Sequence, residues 1–140
     1  MNKVIGTATT ATTATQVRGK AIAYWTVTLL FAASMTMSGI GQLLQWEGNL
    51  ELVANLGYPV YVLTILGIWK VLGAIAIVVP GLARLKEWTY AGFFFLLTGA
   101  AFSHAFGSET GVDAFSIILP LVYAALNIAS WALRPKSRTL

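Results

Sequence analysis

Residues 59–79 read PVYVLTILGIWKVLGAIAIVV, and the reading of this stretch decides the fold. It is apolar from end to end except for Lys70, close to its midpoint. A helix of this length, rising about 1.5 Å per residue, covers the ~30 Å hydrocarbon core of a bilayer. An ammonium placed halfway along it costs roughly 2.5 kcal/mol or more on insertion scales. The stretch therefore predicts a transmembrane helix that carries one expensive group.

The rest of the composition agrees. The chain has 140 residues, 57% hydrophobic and only 10% charged, with a mean hydropathy of +0.74. Soluble domains carry charge on about a quarter of their residues, so one integral membrane domain is expected. The net charge of +4 forms short clusters between apolar runs and no long stripe, which argues against a nucleic-acid partner. The absence of cysteine excludes disulfides, thiolate metal sites and Cys-x-x-Cys relays.

Working outward from residues 59–79, three further spans are predicted at about 21–44, 88–106 and 114–133. The expected fold class is all-α, a transmembrane four-helix bundle with a short interfacial helix between the first and second spans. Residues 1–20, rich in Thr and Ala, read as a disordered cytoplasmic tail without the apolar core of a signal peptide, and 135–140 as a basic tail. The membrane domain is thus 21–134. In the first span Ser34, Ser38, Gly41, Gln42 and Gln45 recur at helical spacing and predict an inward face. Between the first two spans, Asn49 is the expected N-cap and Gly57 the stop of a short connector helix.

Charge orients the bundle. Lys3, Arg18, Lys20, Arg84, Lys86, Arg134, Lys136 and Arg138 fall on one side with Glu87, whereas Glu47, Glu51, Glu109 and Asp113 fall on the other with no Lys or Arg. The positive-inside rule then puts both termini in the cytoplasm of a multi-pass protein of the bacterial inner membrane.

Lys70 has Gly67 before it and Gly73 and Ala74 after it on the same face, so it is expected to point into the bundle. No carboxylate lies within any predicted span. Its partner must be a neutral acceptor, water, or an anionic or carbonyl-bearing ligand. Depths counted at 1.5 Å per residue put Ser34 and Thr98 level with Lys70 and Tyr123 close by. Asn127 falls about 6 Å towards the cytoplasm and His104 about 10 Å towards the outside. The candidate ligand-binding residues are Lys70, His104, Tyr123, Asn127 and Ser38. Two readings stand for Lys70, a structural lysine that snorkels or caps helix carbonyls, and a ligand, headgroup or proton site. His104, the only histidine, reads as structural, interfacial, or a donor to ligand, and a lone histidine without cysteine makes a poor metal site. The Gly and Phe residues of the third span read as packing. No catalytic residue is assigned, since no phosphate loop, hydrolase elbow or paired carboxylates occur.

Two stretches, LGYPVYVLTILGIWKVLGAIAIVVPG (56–81) and RLKEWTYAGFFFLLTGAAFSH (84–104), resemble the DoxX-like family of small four-helix bacterial membrane proteins. The matching positions are Gly57, Tyr58 and Pro59; Lys70 and Gly73; Pro80 and Gly81; Lys86, Glu87, Trp88, Tyr90, Ala91 and Gly92; and Ser103 and His104. The resemblance covers roughly 22–134. It implies the fold and a membrane location, and no particular reaction. Some wider relatives are associated with quinone-linked sulfur oxidation or redox-stress complexes, which implies a quinone as the one cofactor to consider and a membrane or redox protein as a partner.

The leading expectation is a non-catalytic subunit or small-molecule and lipid-binding membrane protein with an outward-opening cavity near Lys70. The alternative is a membrane subunit of a quinone-linked oxidoreductase. A proton-coupled cation exporter is disfavoured, because it needs a membrane-embedded carboxylate.

Overall fold

A computed structural model describes residues 2–107 and 111–140, with side chains from residue 13 onward. Glu109, expected on the acidic side, lies outside the described residues. These contain no strand and five α-helices, α1 (Asn2–Leu43), α2 (Glu47–Asn55), α3 (Tyr61–Val78), α4 (Ala83–Phe106) and α5 (Ala114–Ala132), then a 3-10 turn at Lys136–Arg138.

α1 differs from the expectation by starting at Asn2, so the Thr-rich segment read as a disordered tail is helical and continuous with the apolar part. The run of Ala and Thr contains no proline, and a helix nucleated further on extends into it without a second nucleation cost. Three helical segments are long and apolar enough to cross a membrane, Thr13–Leu43, Tyr61–Val78 and Ala114–Ala132. α4 has the length, at 24 residues, but Trp88, Thr89, Tyr90, Ser103 and His104 dilute its apolarity.

α1 packs along α3 and α5, and α4 packs along α5 and, more sparsely, along α3. The buried positions explain this pairing. Among them, Tyr24, Thr28, Phe31, Met35 and Gln42 on α1 and Leu63, Gly67, Ala74 and Ile77 on α3 follow one another on steps of three, four or seven. Such spacing keeps one seam facing a neighbour over several turns. Phe31, Met35, Ala74, Ile77, Tyr90, Phe93, Leu97 and Ala124 make the common core. The outer faces are apolar too, with Leu29, Leu30, Ile68, Leu72, Ile75, Phe95, Phe102, Leu121 and Val122 all exposed. In water so broad an apolar surface would aggregate; lipid accepts it.

The C-terminal ends of α1 and α2 are closed by backbone. At the end of α1, Gln45 takes a left-handed conformation (φ 53°), with Trp46 N–H donating to Gly41 O at 3.0 Å and Gln45 N–H to Gln42 O at 3.1 Å. The Trp46 ring lies against Gly41, where a Cβ would come within 2.6 Å of it. α2 begins at Glu47, so Asn49 lies in its first turn and is not the N-cap. It stops where Gly57 was expected to stop it: Gly57 is left-handed (φ 74°), and Tyr58 N–H reaches back to Val53 O at 2.9 Å.

Candidate functional site

A cavity of about 590 Å³ opens at the end of the molecule that carries α2, enclosed by residues from all five helices. Most of its wall is aliphatic or aromatic, including Leu52, Val53, Leu56, Val62, Leu63, Leu66, Leu119 and Tyr123. A few polar groups interrupt that wall: Ser38, Gln42, Asn49, Lys70, Ser103, His104 and Ser116. An apolar cavity with a handful of convergent polar groups has the general form of a small-molecule site.

Four of the five residues singled out in the sequence line it: Lys70, His104, Tyr123 and Ser38. Asn127 does not. It is buried further along α5, where its Nδ2 donates to Tyr90 O at 2.9 Å. Lys70 Nζ donates to Ser38 Oγ at 2.9 Å. That pairing bypasses Ser34 and Thr98, the residues level with it by counting. Ser34 hydrogen-bonds Leu30 O within its own helix at 2.8 Å, and Thr98 bonds Phe94 O at 2.8 Å. The lysine stem is long enough to carry its nitrogen about a turn along the bundle from its Cα. Gly67 and Gly73 make room on two sides. Gly67 lies against the Gly39 backbone of α1, and Gly73 against the Phe93 ring of α4.

Gln42 was legible as part of an inward face but not as a site residue. It is 94% buried, lines the cavity, and its Oε1 has no hydrogen-bond partner. At the rim, Tyr58 OH and Ser103 Oγ lie 2.7 Å apart and join the turn after α2 to the last turns of α4. Asp113 caps α5, accepting from Ser116 Oγ at 2.9 Å and from the Ser116 and Phe115 amides. The Ser116 hydroxyl, helped by those amides and by His104, holds the Asp113 carboxyl below its usual range.

Lys70 and Leu96 also line a second cavity of about 630 Å³, an apolar groove between α3 and α4 flanked by the exposed Trp69 and Trp88. Its walls offer Lys70 as the one charged group and Thr89 as the one hydroxyl.

The opposite end of the molecule holds a cationic cluster built from charges that the sequence puts on the cytoplasmic side. Lys86 is fully buried and Arg134 and Arg138 nearly so. Arg134 pairs with Glu87, the one salt bridge among the described residues, and Trp131 Nε1 donates to the other Glu87 oxygen at 2.9 Å. Lys86 and Arg138 instead turn to the last carbonyls of α3. A signal was present: Lys86 stands on the same steps of three and four as Tyr90, Phe93 and Leu97, the buried face of α4. The Trp131 indole and then Arg134 hold Glu87 below the usual carboxylate range. Its folded value therefore lies under its unfolded one, so its stabilisation is complete above the ordinary glutamate range and is lost as pH falls through the depressed folded value. The thermal midpoint in detergent should drop on acidification through that window and drop less in Glu87→Gln. An identical acid profile in the variant would overturn this assignment.

Among the described residues no group of three His, Cys, Asp or Glu side chains stands close enough to hold a metal ion. A model described as the DoxX-like family matches residues 26–130, well over half of the chain. Neither the curated proteins nor the solved structures contain a match.

Proposed function

The chain belongs to the DoxX-like family, and from that premise we propose that it is a four-span membrane protein that binds a small apolar molecule or lipid in the cavity beside Lys70. α4 supplies the fourth span. Its part from 88 to 106 reaches about 28 Å, and its exposed Phe94, Phe95, Phe102 and Phe106 are suited to lipid. With the positively charged ends cytoplasmic, both termini lie on the cytoplasmic side of a bacterial inner membrane and the cavity opens outward. The protein acts by binding, as a carrier or as a subunit that presents its ligand to a membrane partner.

The observation that carries this reading is the convergence of Lys70, Ser38, Gln42 and His104 on one largely apolar cavity. A lysine kept only for packing needs no such space around it. Native mass spectrometry of the protein purified from membranes should find a small apolar molecule retained at near-stoichiometric amount. Lys70→Met should lose it, and Gly99→Leu should weaken it. Gly99 lines the cavity, and a Cβ there meets nothing within 4 Å, so the new side chain starts into open space. A copurified quinone would move the protein to the quinone-linked class. Wild-type protein that carries nothing and excludes added apolar probes would overturn the proposal.

A further inference from the structure

The polar groups of the cavity are specific enough to narrow the chemistry of its occupant. Lys70 Nζ spends one proton on Ser38 Oγ, which leaves two N–H groups and the serine O–H to give. The described carboxylates leave it unpaired, since the salt bridge lies at the other end of the molecule. A buried ammonium without a counter-charge is costly, and a single negative charge at that point removes the cost. A phosphate dianion would overshoot the one positive charge; a monoanion matches it, and a carboxylate is the most compact one that a cavity of about 590 Å³ would take beside an apolar chain. One helical turn from Ser38 towards α2, about 6 Å along α1, Gln42 lines the cavity with its Oε1 closed off and unpartnered, and a turn of its amide into the cavity would let that oxygen meet the opposite chemistry, a donor. An amide oxygen buried without a partner loses about 1–3 kcal/mol of hydrogen bonding that a ligand hydroxyl would restore. The remaining wall, from Leu52 and Val53 of α2 to Leu63 and Leu66 of α3, is aliphatic. Its volume of about 590 Å³ falls in the range of single small ligands.

We infer that the occupant is a single-chain carboxylic acid bearing a hydroxyl near its head. The carboxylate accepts hydrogen bonds from Lys70 Nζ and Ser38 Oγ, the hydroxyl donates to Gln42 Oε1, and the chain lies against α2 and α3. This rests on the cavity being a binding site, as proposed above, and adds the class of ligand.

The test uses the full-length protein in nanodiscs with four probes: dodecanoate, 3-hydroxydodecanoate, methyl dodecanoate and a short-chain benzoquinone. Dodecanoate should bind at least tenfold more tightly than its methyl ester, and the hydroxy acid several-fold more tightly again. In Lys70→Met the acid and the ester should bind alike. In Gln42→Leu the acid should keep its advantage over the ester while the added gain of the hydroxyl disappears. That split separates loss of a contact from loss of the fold, because each variant retains one preference and loses the other. Ester or quinone binding as tightly as the acid in the wild type, or an acid preference that survives in Lys70→Met, overturns the inference and leaves the cavity a binding site for another class. Failure of all four probes to bind overturns both.

Discussion

Gly67→Ala should lower the stability of the folded protein by about 1–3 kcal/mol, the usual cost of forcing an extra methyl into a close-packed contact. α1 and α3 cross at Gly39 and Gly67 with their backbones nearly touching. A Cβ on Gly67 would stand 2.7 Å from Gly39 O and 2.7 Å from Leu43 Cγ, and one on Gly39 would stand 3.0 Å from Gly67 O. Backbone cannot rotate out of the way as a flexible side chain can, so the helices must separate. Separation reaches the site as well, because Ser38 and Lys70 flank this crossing and their 2.9 Å bond depends on it. Gly92→Ala is the internal control. Its Cβ meets nothing within 4 Å, and helix propensity favours the alanine by about 0.5–1 kcal/mol. Thermal midpoints of the two variants in the same detergent should move in opposite directions. Equal shifts would mean that the α1–α3 crossing is looser than described.

Three helices long and apolar enough to cross a membrane were legible because apolar length is a one-dimensional property, and the bond from Lys70 to Ser38 of α1 agrees with the small residues three positions either side of the lysine. The choice of partner was not legible. Ser34 and Ser38 are one turn apart on the same face, and which of them meets Lys70 depends on how the two helices slide against each other. Slide is fixed at the Gly39–Gly67 contact, a relation between two segments that no single segment contains. Asn127 was misplaced for a related reason: depth along α5 puts it near Lys70, but its azimuth turns it towards Tyr90 of α4. Gln42 escaped selection because a place on the inward face of α1 does not say which helices close around it.

The cationic end was hidden by a different ambiguity. Basic residues beside a span serve the positive-inside rule whether they dangle in water or fold back into the protein. Only the packing tells them apart. Here Arg138 lies over the Trp25 ring at 4.6 Å and Arg134 over the Tyr90 ring at 5.2 Å, so the last residues of the chain are held against α1 and α4. Tyr90 in turn shares Ser130 with Thr28, at 2.8 Å and 2.6 Å, in a buried hydroxyl chain that links α1, α4 and α5. The molecule thus closes with polar bonds at one end and leaves its larger polar-lined space at the other, which is where a ligand has room.

The second large effect concerns Lys86 and Arg138, and its sign is the informative part. A helix leaves its last carbonyls without partners, and those of α3 are taken by these two cations. Lys86 donates to Ala76 O at 2.7 Å and to Val79 O; Arg138 donates to Ile77 O at 3.1 Å, Val78 O at 2.9 Å and Val79 O at 3.4 Å. The negative end of the helix dipole favours both charges there. Each single change, Lys86→Met or Arg138→Met, removes charged hydrogen bonds worth roughly 1.5–3 kcal/mol apiece, less the relief of desolvation. Two physical facts then push the double variant beyond the sum of the singles. The Val79 carbonyl keeps one donor in either single variant and loses its last one only in the double. The two cations also repel each other, so either single change relieves that repulsion, and the second change has none left to relieve. A double-mutant cycle by equilibrium unfolding in mixed micelles should therefore give a destabilising coupling of about 0.5–3 kcal/mol. An attractive pair would give the opposite sign. Strict additivity would show that the two cations hold separate carbonyls without sensing each other, and that the end of α3 is not a single cap.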